Sequence, residues 1–313
     1  MKPLILGAGA VGGYFGGRLV QAGADVTFLV RPKRAQKLAE AGIVIKSPMG
    51  DAQIPVRTVL QETVRPDYDL VILSCKAYDL EASIAAIGGA IGPNTLILPL
   101  LNGMAHLGQL EQAYGGARVL GGSCAIASTL DAEGVIRHLG KFQGVTCGTR
   151  AGNHVHAAGL LQELAQAYAS VSIECKVSEH IEQDMWEKFV LLASLAAMTC
   201  LMRASVGEIL AAADGEALMR EVLSVSIAAA TAAGHAPRAE SLKRTEGMLF
   251  ARGSAFTASM LRDLESGGRV EADHIVGDML RRARAAGADA RLLAAAYCHL
   301  QAYETRRARG AKG

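Results

Sequence analysis

Lys2-Pro3-Leu4-Ile5-Leu6-Gly7-Ala8-Gly9-Ala10-Val11-Gly12-Gly13 is the stretch whose reading decides the fold. An apolar run of strand length passes directly into glycines spaced G-x-G-x-x-G at Gly7, Gly9 and Gly12. An apolar-periodic stretch, 11–20, follows. Strand, glycine turn and helix in that order are what a dinucleotide-binding turn requires. The first glycine permits a tight turn, the second lets backbone approach a pyrophosphate, and the third lets the helix pack against the strand. The phosphates then meet free N–H groups at the positive end of the helix. A glycine-rich turn that binds nothing shares the spacing but not the context. Gly7, Ala8, Gly9, Ala10, Val11 and Gly12 are therefore read as nucleotide-binding.

The next element distinguishes the two nicotinamide dinucleotides. Residues 25–30 read as the second strand, which ends at Arg31. A site for NAD places Asp or Glu about 20 residues beyond the glycines, to accept from the ribose hydroxyls. Here no acid lies between Val26 and Glu40, and Arg31 is followed closely by Lys33 and Arg34. A guanidinium matches a 2′-phosphate in charge and in the geometry of its donors. The expected cofactor is NADPH, with Arg31 on the phosphate. Lys33 and Arg34 are equally well read as the solvated start of the next helix.

Outward from this turn the first half alternates strands and helices. A helix is expected near 33–41 and a polar hairpin-like pair at 43–46 and 53–57. Buried strands are expected at 68–74 and 95–98, and shorter β pieces at 119–126, 135–138 and 145–147. A helix at 153–168 leads to a last strand at 171–175. This pattern predicts a parallel sheet with helices on both faces. From about Ser178 the sequence is helical and rich in alanine. Ser205-Val206-Gly207-Glu208 has the form of a capping box, and Gly234 and Gly287 look like helix ends. The fold class is an α/β Rossmann-type N-terminal domain with a parallel sheet, plus an all-α C-terminal domain. The expected boundaries are 1–177 and 178–313, with the active site in the cleft between the halves.

A chain of 313 residues has length for two domains, and a net charge of +2 leaves no strong electrostatic footprint for nucleic acid or membrane. The one basic run, Arg306-Arg307-Ala308-Arg309 with Lys312, reads as the solvated end of the last helix. Cys75, Cys124, Cys147, Cys175, Cys200 and Cys298 contain no C-x-x-C. They read as small core residues in a reducing compartment, with no metal site. The N-terminus is a cofactor strand rather than a cleaved signal. The apolar stretch 191–202 is shorter than a membrane span and is bracketed by Lys188 and Arg203. A cytoplasmic enzyme acting on a small molecule is expected.

Three further stretches could carry chemistry. Cys75-Lys76 ends one expected parallel strand and Asn102-Gly103-Met104 ends the next, where ligands of such sheets bind. Lys76 can reach a phosphate, a ribose or substrate, or be a solvated strand-end lysine. Asn102 can donate to and accept from a carboxamide or a substrate, or be a turn residue. Trp186-Glu187-Lys188 lies on an apolar helix at the start of the second domain. Burial would suit Lys188 to proton transfer near neutral pH, while a snorkelling lysine would show the same pattern.

Taken in order, Gly7-x-Gly9-x-x-Gly12, Cys75-Lys76, Asn102-Gly103-Met104, Trp186-x-Lys188, Ser259-Met260-Leu261-Arg262-Asp263 and Glu271-Ala272-Asp273 form a specific set. The set resembles the ketopantoate reductase (2-dehydropantoate 2-reductase) family over almost the whole chain. The resemblance implies a Rossmann domain followed by a helical one. It also implies NADPH-dependent reduction of a 2-oxo acid to a D-2-hydroxy acid, with ketopantoate giving D-pantoate in pantothenate biosynthesis. It places Gly7, Gly9 and Gly12 on the pyrophosphate, Arg31 on the 2′-phosphate, and Lys76 and Asn102 along the cofactor and substrate cleft. Lys188 becomes the proton donor to the carbonyl oxygen, Ser259 a substrate ligand and Glu271 the acid that completes the site. Taken alone, Ser259 and Glu271 would read as a cap and a surface acid. The helical half is the expected substrate and dimerisation domain, and a homodimer is one assembly this allows.

The departures bear on substrate. The family usually carries asparagine four and eight residues after the lysine, and this chain has Leu192 and Ala196 there. The usual second serine is Ala258, and an asparagine near Val276 is absent although Gly277 remains. Loss of polar partners makes a pocket that discriminates hydroxyls weakly. A family member acting on a more apolar 2-oxo acid is therefore the alternative. A different Rossmann-plus-helical dehydrogenase, of the 3-hydroxyacid or opine kind, fits the retained order of Lys188, Ser259 and Glu271 poorly. An NADPH-binding sensor without turnover would have little use for Lys188 and Glu271.

Overall fold

The computed structural model describes residues 1–310 of the chain. The chain divides into two compact units. One comprises Met1–Leu101 and His106–Ile181, and the other comprises Asn102–Ala105 and the chain from Glu182 onward. Lys312, named with the basic tail, lies outside the described residues.

The first unit carries, in chain order, β1 (Pro3–Leu6), α1 (Ala10–Gln21), β2 (Thr27–Leu29), α2 (Pro32–Ala41), β3 (Ile43–Lys46), β4 (Ala52–Ile54) and β5 (Arg57–Val59). Then come β6 (Leu70–Leu73), α3 (Leu80–Ile87), β7 (Leu96–Pro99), α4 (Ala105–Tyr114), β8 (Gly121–Leu130), β9 (Ile136–Gly148), α5 (Ala157–Ala169) and β10 (Glu174–Val177). One sheet has the order β5-β2-β1-β6-β7 and is parallel throughout. Its inner strands are nearly unbroken apolar runs, as strands covered on both faces must be. Leu4, Phe28, Leu70, Val71, Leu96, Ile97 and Leu98 are all inaccessible to solvent. Leu6 pairs with both Leu29 and Leu73, and Leu73 pairs with Pro99, so four strands end level with one another.

The second sheet has the order β10-β9-β3-β4, with β8 on β9. Here the structure departs from the sequence reading. The expected short pieces at 119–126, 135–138 and 145–147 are two long strands, β8 and β9, paired antiparallel with a shift between Ile126 and Ser128. The pairing runs from Gly121 opposite Gly148 to Ile126 opposite Gln143 and resumes at Ser128 opposite His138, so residues 139–142 bulge between two paired stretches of one strand. The expected strand 53–57 splits at Pro55. Its first part pairs with β3 and its second part becomes β5 in the parallel sheet. Proline has no N–H to continue a ladder. The last strand starts at Glu174 rather than at residue 171, because Ser172 takes φ +58° and breaks the extended run.

The second unit is helical: α6 (Ile181–Met202), α7 (Val206–Ala211), α8 (Gly215–Ala232), α9 (Ala239–Leu249), α10 (Ser259–Glu265), α11 (Asp278–Ala285) and α12 (Arg291–Gly310). A π-helical turn, Asp273–Gly277, precedes α11. The capping box is formed, with the Ser205 N–H donating to Glu208 Oε2 at 2.7 Å and the Glu208 N–H donating to Ser205 Oγ. Gly234 and Gly287 follow α8 and α11 with φ near +84° and +74°. α6 is longer than its apolar stretch suggested and reaches membrane-spanning length, but 72% of its most apolar window is buried within the protein. It is a core helix; Lys188 lies within it ahead of the apolar stretch 191–202, and Arg203 follows its end. Arg307 in α12 pairs with Glu304 at 3.0 Å. No disulfide joins cysteines among the described residues, and Cys298 is exposed rather than in the core. Cys147 and Cys175, distant in sequence, bring their sulfurs 3.9 Å apart across β9 and β10.

Candidate functional site

In the first unit the candidate residues leave the level C-terminal ends of neighbouring parallel strands. The glycine turn leaves β1, Arg31 stands two residues past β2, and Lys76 stands three past β6. Gly7 has φ +83° and its N–H donates to the Leu29 carbonyl at 2.8 Å, which pins the start of the turn to β2. Gly9 is the N-cap of α1 and has no side chain to cap it. The first N–H groups of that helix are therefore presented without an internal partner. A Cβ on Gly9 would stand in open space, whereas one on Gly12 would overlap Ser74 Oγ and lie 2.8 Å from the Gly7 carbonyl. Gly12 is thus required for packing and Gly9 leaves a cradle at the helix end. That combination, with Ala8 buried and Ala10 and Val11 half-buried around it, fits a nucleotide pyrophosphate.

Arg31 is exposed and forms the extended N-cap of α2, followed by Pro32 at the first helical position. Lys33 is also exposed. Arg34 is not a solvated residue: its guanidinium turns inward and donates to the Ala8 carbonyl at 2.9 and 3.2 Å. Lys76 is half-buried in extended backbone and caps a single 3-10 turn, Ala77–Asp79.

Asn102 follows β7 but groups with the second unit, as does Gly103. Gly103 has φ +82°, and a Cβ there would meet His274 Cδ2 at 3.1 Å and Ile275 Cδ1 at 3.2 Å. His274 lies buried in the π-helical turn and hydrogen-bonds to the Asn102 backbone. Burial pushes its imidazole below the ordinary value. It outweighs the charges of Glu271, Asp278 and Asp273 and the Asn102 bond, all of which favour the protonated form. The second unit therefore brings Asn102, Glu271 and His274 into one neighbourhood. Glu271 is half-buried two residues before the π turn, and its approach is fixed by α12. The Val270 N–H donates to Glu304 at 2.8 Å and the Tyr303 hydroxyl donates to the Gly268 carbonyl at 2.7 Å.

Lys188 is half-buried at the end of the second turn of α6. The residues before it are held firmly. Trp186 stacks on His235 with ring centroids 5.8 Å apart, and Arg282 lies 4.9 Å over its ring. Glu187 accepts from Arg238 Nε and Nη2, both at 2.7 Å, and from its backbone N–H at 2.9 Å. Burial alone would raise the Glu187 carboxyl. The bonds from Arg238, Gln183 and Ser241 overcome that and hold it at about 2. Arg238 also pairs with Asp184. Ser259 is exposed as the first residue of α10, next to the buried Ala258. Leu192 is half-buried and Ala196 buried on α6.

Sequence reasoning missed two residues. A lone histidine after Glu271 carries no signal without knowledge of what packs on Gly103. Arg34 was visible only as extra basic charge.

Residues 4–152 match the family described as Ketopantoate reductase PanE/ApbA, and residues 180–304 match Ketopantoate reductase PanE/ApbA C terminal. The chain is 37% identical over 309 residues to an uncharacterized oxidoreductase, YkpB, of Bacillus subtilis, covering 97% of this chain and 99% of that one. It is 25% identical over 286 residues to a 2-dehydropantoate 2-reductase of Halobacterium salinarum, covering 91% and 92%. A PanE/ApbA family ketopantoate reductase from Ralstonia eutropha superposes with a TM-score of 0.86 at 25% identity, over 98% of this chain and 99% of that one. A D-mandelate dehydrogenase solved with NADH and anilino(oxo)acetate shares the fold, with a TM-score of 0.85 at 21% identity and the same coverage of each chain. Both halves of the chain, and the order of the motifs along it, thus point the same way: this is an oxidoreductase belonging to the ketopantoate reductase family.

Proposed function

We propose that the chain reduces a 2-oxo acid to a D-2-hydroxy acid with NADPH, and that ketopantoate, giving D-pantoate for pantothenate biosynthesis in the cytoplasm, is the first substrate to test. The observation that carries the reading is the uncapped N-terminus of α1 under Gly9, with the exposed guanidinium of Arg31 following the neighbouring strand. Gly7, Ala8, Gly9, Ala10, Val11 and Gly12 hold the pyrophosphate, and Arg31 selects the 2′-phosphate. Lys76 and Asn102 bind along the nucleotide and substrate. NADPH supplies the hydride to the carbonyl carbon of the substrate.

The rest falls to side chains of the second unit. As charge develops on the carbonyl oxygen it must be protonated or held by donors. Lys188 gives that oxygen its proton and is reprotonated from solvent, so one hydride and one proton are added across the C=O bond. Ser259 donates to the substrate carboxylate, and Glu271 orients Lys188 or accepts a substrate hydroxyl. Incubation with ketopantoate and NADPH followed by chiral chromatography tests the reading. D-pantoate in equal amount to the NADPH consumed supports it, L-pantoate contradicts it, and no product from ketopantoate rejects ketopantoate in favour of the second reading below.

A second reading rests on Leu192 and Ala196. With apolar residues four and eight positions after Lys188, the preferred substrate is a 2-oxo acid lacking the ketopantoate hydroxyl. The D-mandelate dehydrogenase of the same fold, solved with anilino(oxo)acetate, is one protein in which this scaffold meets an aromatic 2-oxo acid derivative.

A further inference from the structure

Arg34 links two turns that lie far apart in the sequence. Its Nη2 and Nε donate to the Ala8 carbonyl at 2.9 and 3.2 Å, and its Nη1 and Nη2 each reach the Gly134 carbonyl at 3.4 Å. Ala8 lies between the first two glycines of the nucleotide turn. Gly134 lies in the turn between β8 and β9. The tip is shaped around this contact: Gly134 takes φ +89°, and a Cβ there would stand 2.5 Å from Arg34 Nη1. One helical turn further on, Lys37 Nζ donates to the Ala132 carbonyl at 3.2 Å. The basic face of α2 therefore holds the hairpin tip by two carbonyls and the glycine turn by one.

The peptide bond turns this contact into a direction. In a trans peptide the C=O and N–H of one unit point opposite ways. The Ala8 carbonyl and the Gly9 N–H belong to the same unit. With the carbonyl drawn onto Arg34, the Gly9 N–H points away from α2, at the residue where a Cβ would meet nothing. The donors of Arg34 face two carbonyls in place of a phosphate.

We propose that Arg34 is a positioning residue for nucleotide binding: it holds the Ala8 carbonyl against the β8–β9 tip, aims the Gly9 N–H at the pyrophosphate, and touches no part of the nucleotide that distinguishes NADPH from NADH. The proposal rests on the reading of the glycine turn as a pyridine-nucleotide site. It separates two arginines three residues apart: Arg31 reads the 2′-phosphate and Arg34 shapes the turn.

The test is direct titration of NADPH and NADH, by nicotinamide fluorescence or calorimetry, on the full chain without substrate, with melting of the nucleotide-free protein alongside. Arg34→Met should weaken both nucleotides by the same factor, about tenfold or more, since tenfold corresponds to about 1.4 kcal/mol and charged hydrogen bonds are worth at least that. Arg31→Ala should weaken NADPH alone. Gly134→Ala, which crowds the guanidinium from the hairpin side, should reproduce the loss for both nucleotides. Arg34→Lys, which keeps the charge without the fork, should fall between wild type and Arg34→Met. If Arg34→Met does not fold, Gly134→Ala and Arg34→Lys carry the same comparison. Loss of NADPH affinity with NADH unchanged would make Arg34 a phosphate ligand and overturn the proposal. Unchanged affinity for both in folded Arg34→Met would overturn it as well. In each of those cases wild-type binding leaves the reading of the turn intact. A wild type that binds neither nucleotide removes the reading and the proposal together.

Discussion

His274 and Gly103 pack directly on each other in the second unit, so that a Cβ on Gly103 would stand 3.1 Å from His274 Cδ2 and 3.2 Å from the His274 carbonyl oxygen. The contact seats the π-helical turn that follows Glu271 against the turn that presents Asn102. π turns of this kind recur where a helix has been adjusted around a site. Gly103 also has φ +82°, so a side chain there is excluded by its own backbone as well as by its neighbour.

Gly103→Ala should therefore destabilise the protein by about 1–3 kcal/mol. Thermal melting should show a drop of several degrees. An unchanged melting temperature would mean that the π turn yields freely, and that Asn102 is not held by it.

The buried imidazole makes stability depend on pH with a defined sign. Burial holds His274 below its ordinary value of 6.5, so the unfolded chain binds the proton more readily. Stability from this group is then complete above about pH 6.5 and is lost as pH falls below it toward the folded pKa. The groups facing it are Glu271, Asp273 and Asp278, whose negative charges moderate the shift without reversing it. His274→Gln should flatten the fall in melting temperature between about pH 7 and pH 5. A variant whose profile runs parallel to wild type would show that His274 does not titrate in that window.

Lys188→Met keeps most of the stem volume and removes the ammonium. The variant should fold and titrate NADPH normally, while reduction falls by about a hundredfold or more. Full turnover in this variant would remove Lys188 from the chemistry. Loss of nucleotide binding would make it a structural residue of α6.

What could be read from the sequence was what is determined locally. The glycine turn needs only the residues around it, and so does the Ser205–Glu208 capping box, whose partners lie three positions apart. The long hairpin was read as fragments because the pairing of β9 is interrupted at residues 139–142, between Gln143 opposite Ile126 and His138 opposite Ser128, so one strand carries two separate patterns. The same limit hid Arg34. Its partners are the Ala8 and Gly134 carbonyls, and a carbonyl acceptor has no side-chain signature. His274 was missed because its significance depends on Gly103, which reaches it only through the fold. The exposed position of Arg31 after the second strand was legible because it needs no distant partner; its role toward a phosphate belongs to the proposal.

Substrate preference should follow Leu192 and Ala196. Steps of four keep both near the Lys188 face of α6. Burying a hydroxyl without a partner costs about 1–3 kcal/mol. Wild type should therefore show a higher kcat/KM for an apolar 2-oxo acid than for ketopantoate of similar size. Leu192→Asn with Ala196→Asn should shift the ratio toward ketopantoate. A wild type that prefers ketopantoate by a wide margin would show that other residues satisfy its hydroxyl.

The measurement that bears most directly on the central claim is the initial rate of NADPH oxidation by the purified chain across a panel of 2-oxo acids that includes ketopantoate. Saturable oxidation with at least one of them, faster with NADPH than with NADH and lost in Lys188→Met, is the predicted result. A chain that binds NADPH and oxidises it with none of the 2-oxo acids would contradict the account.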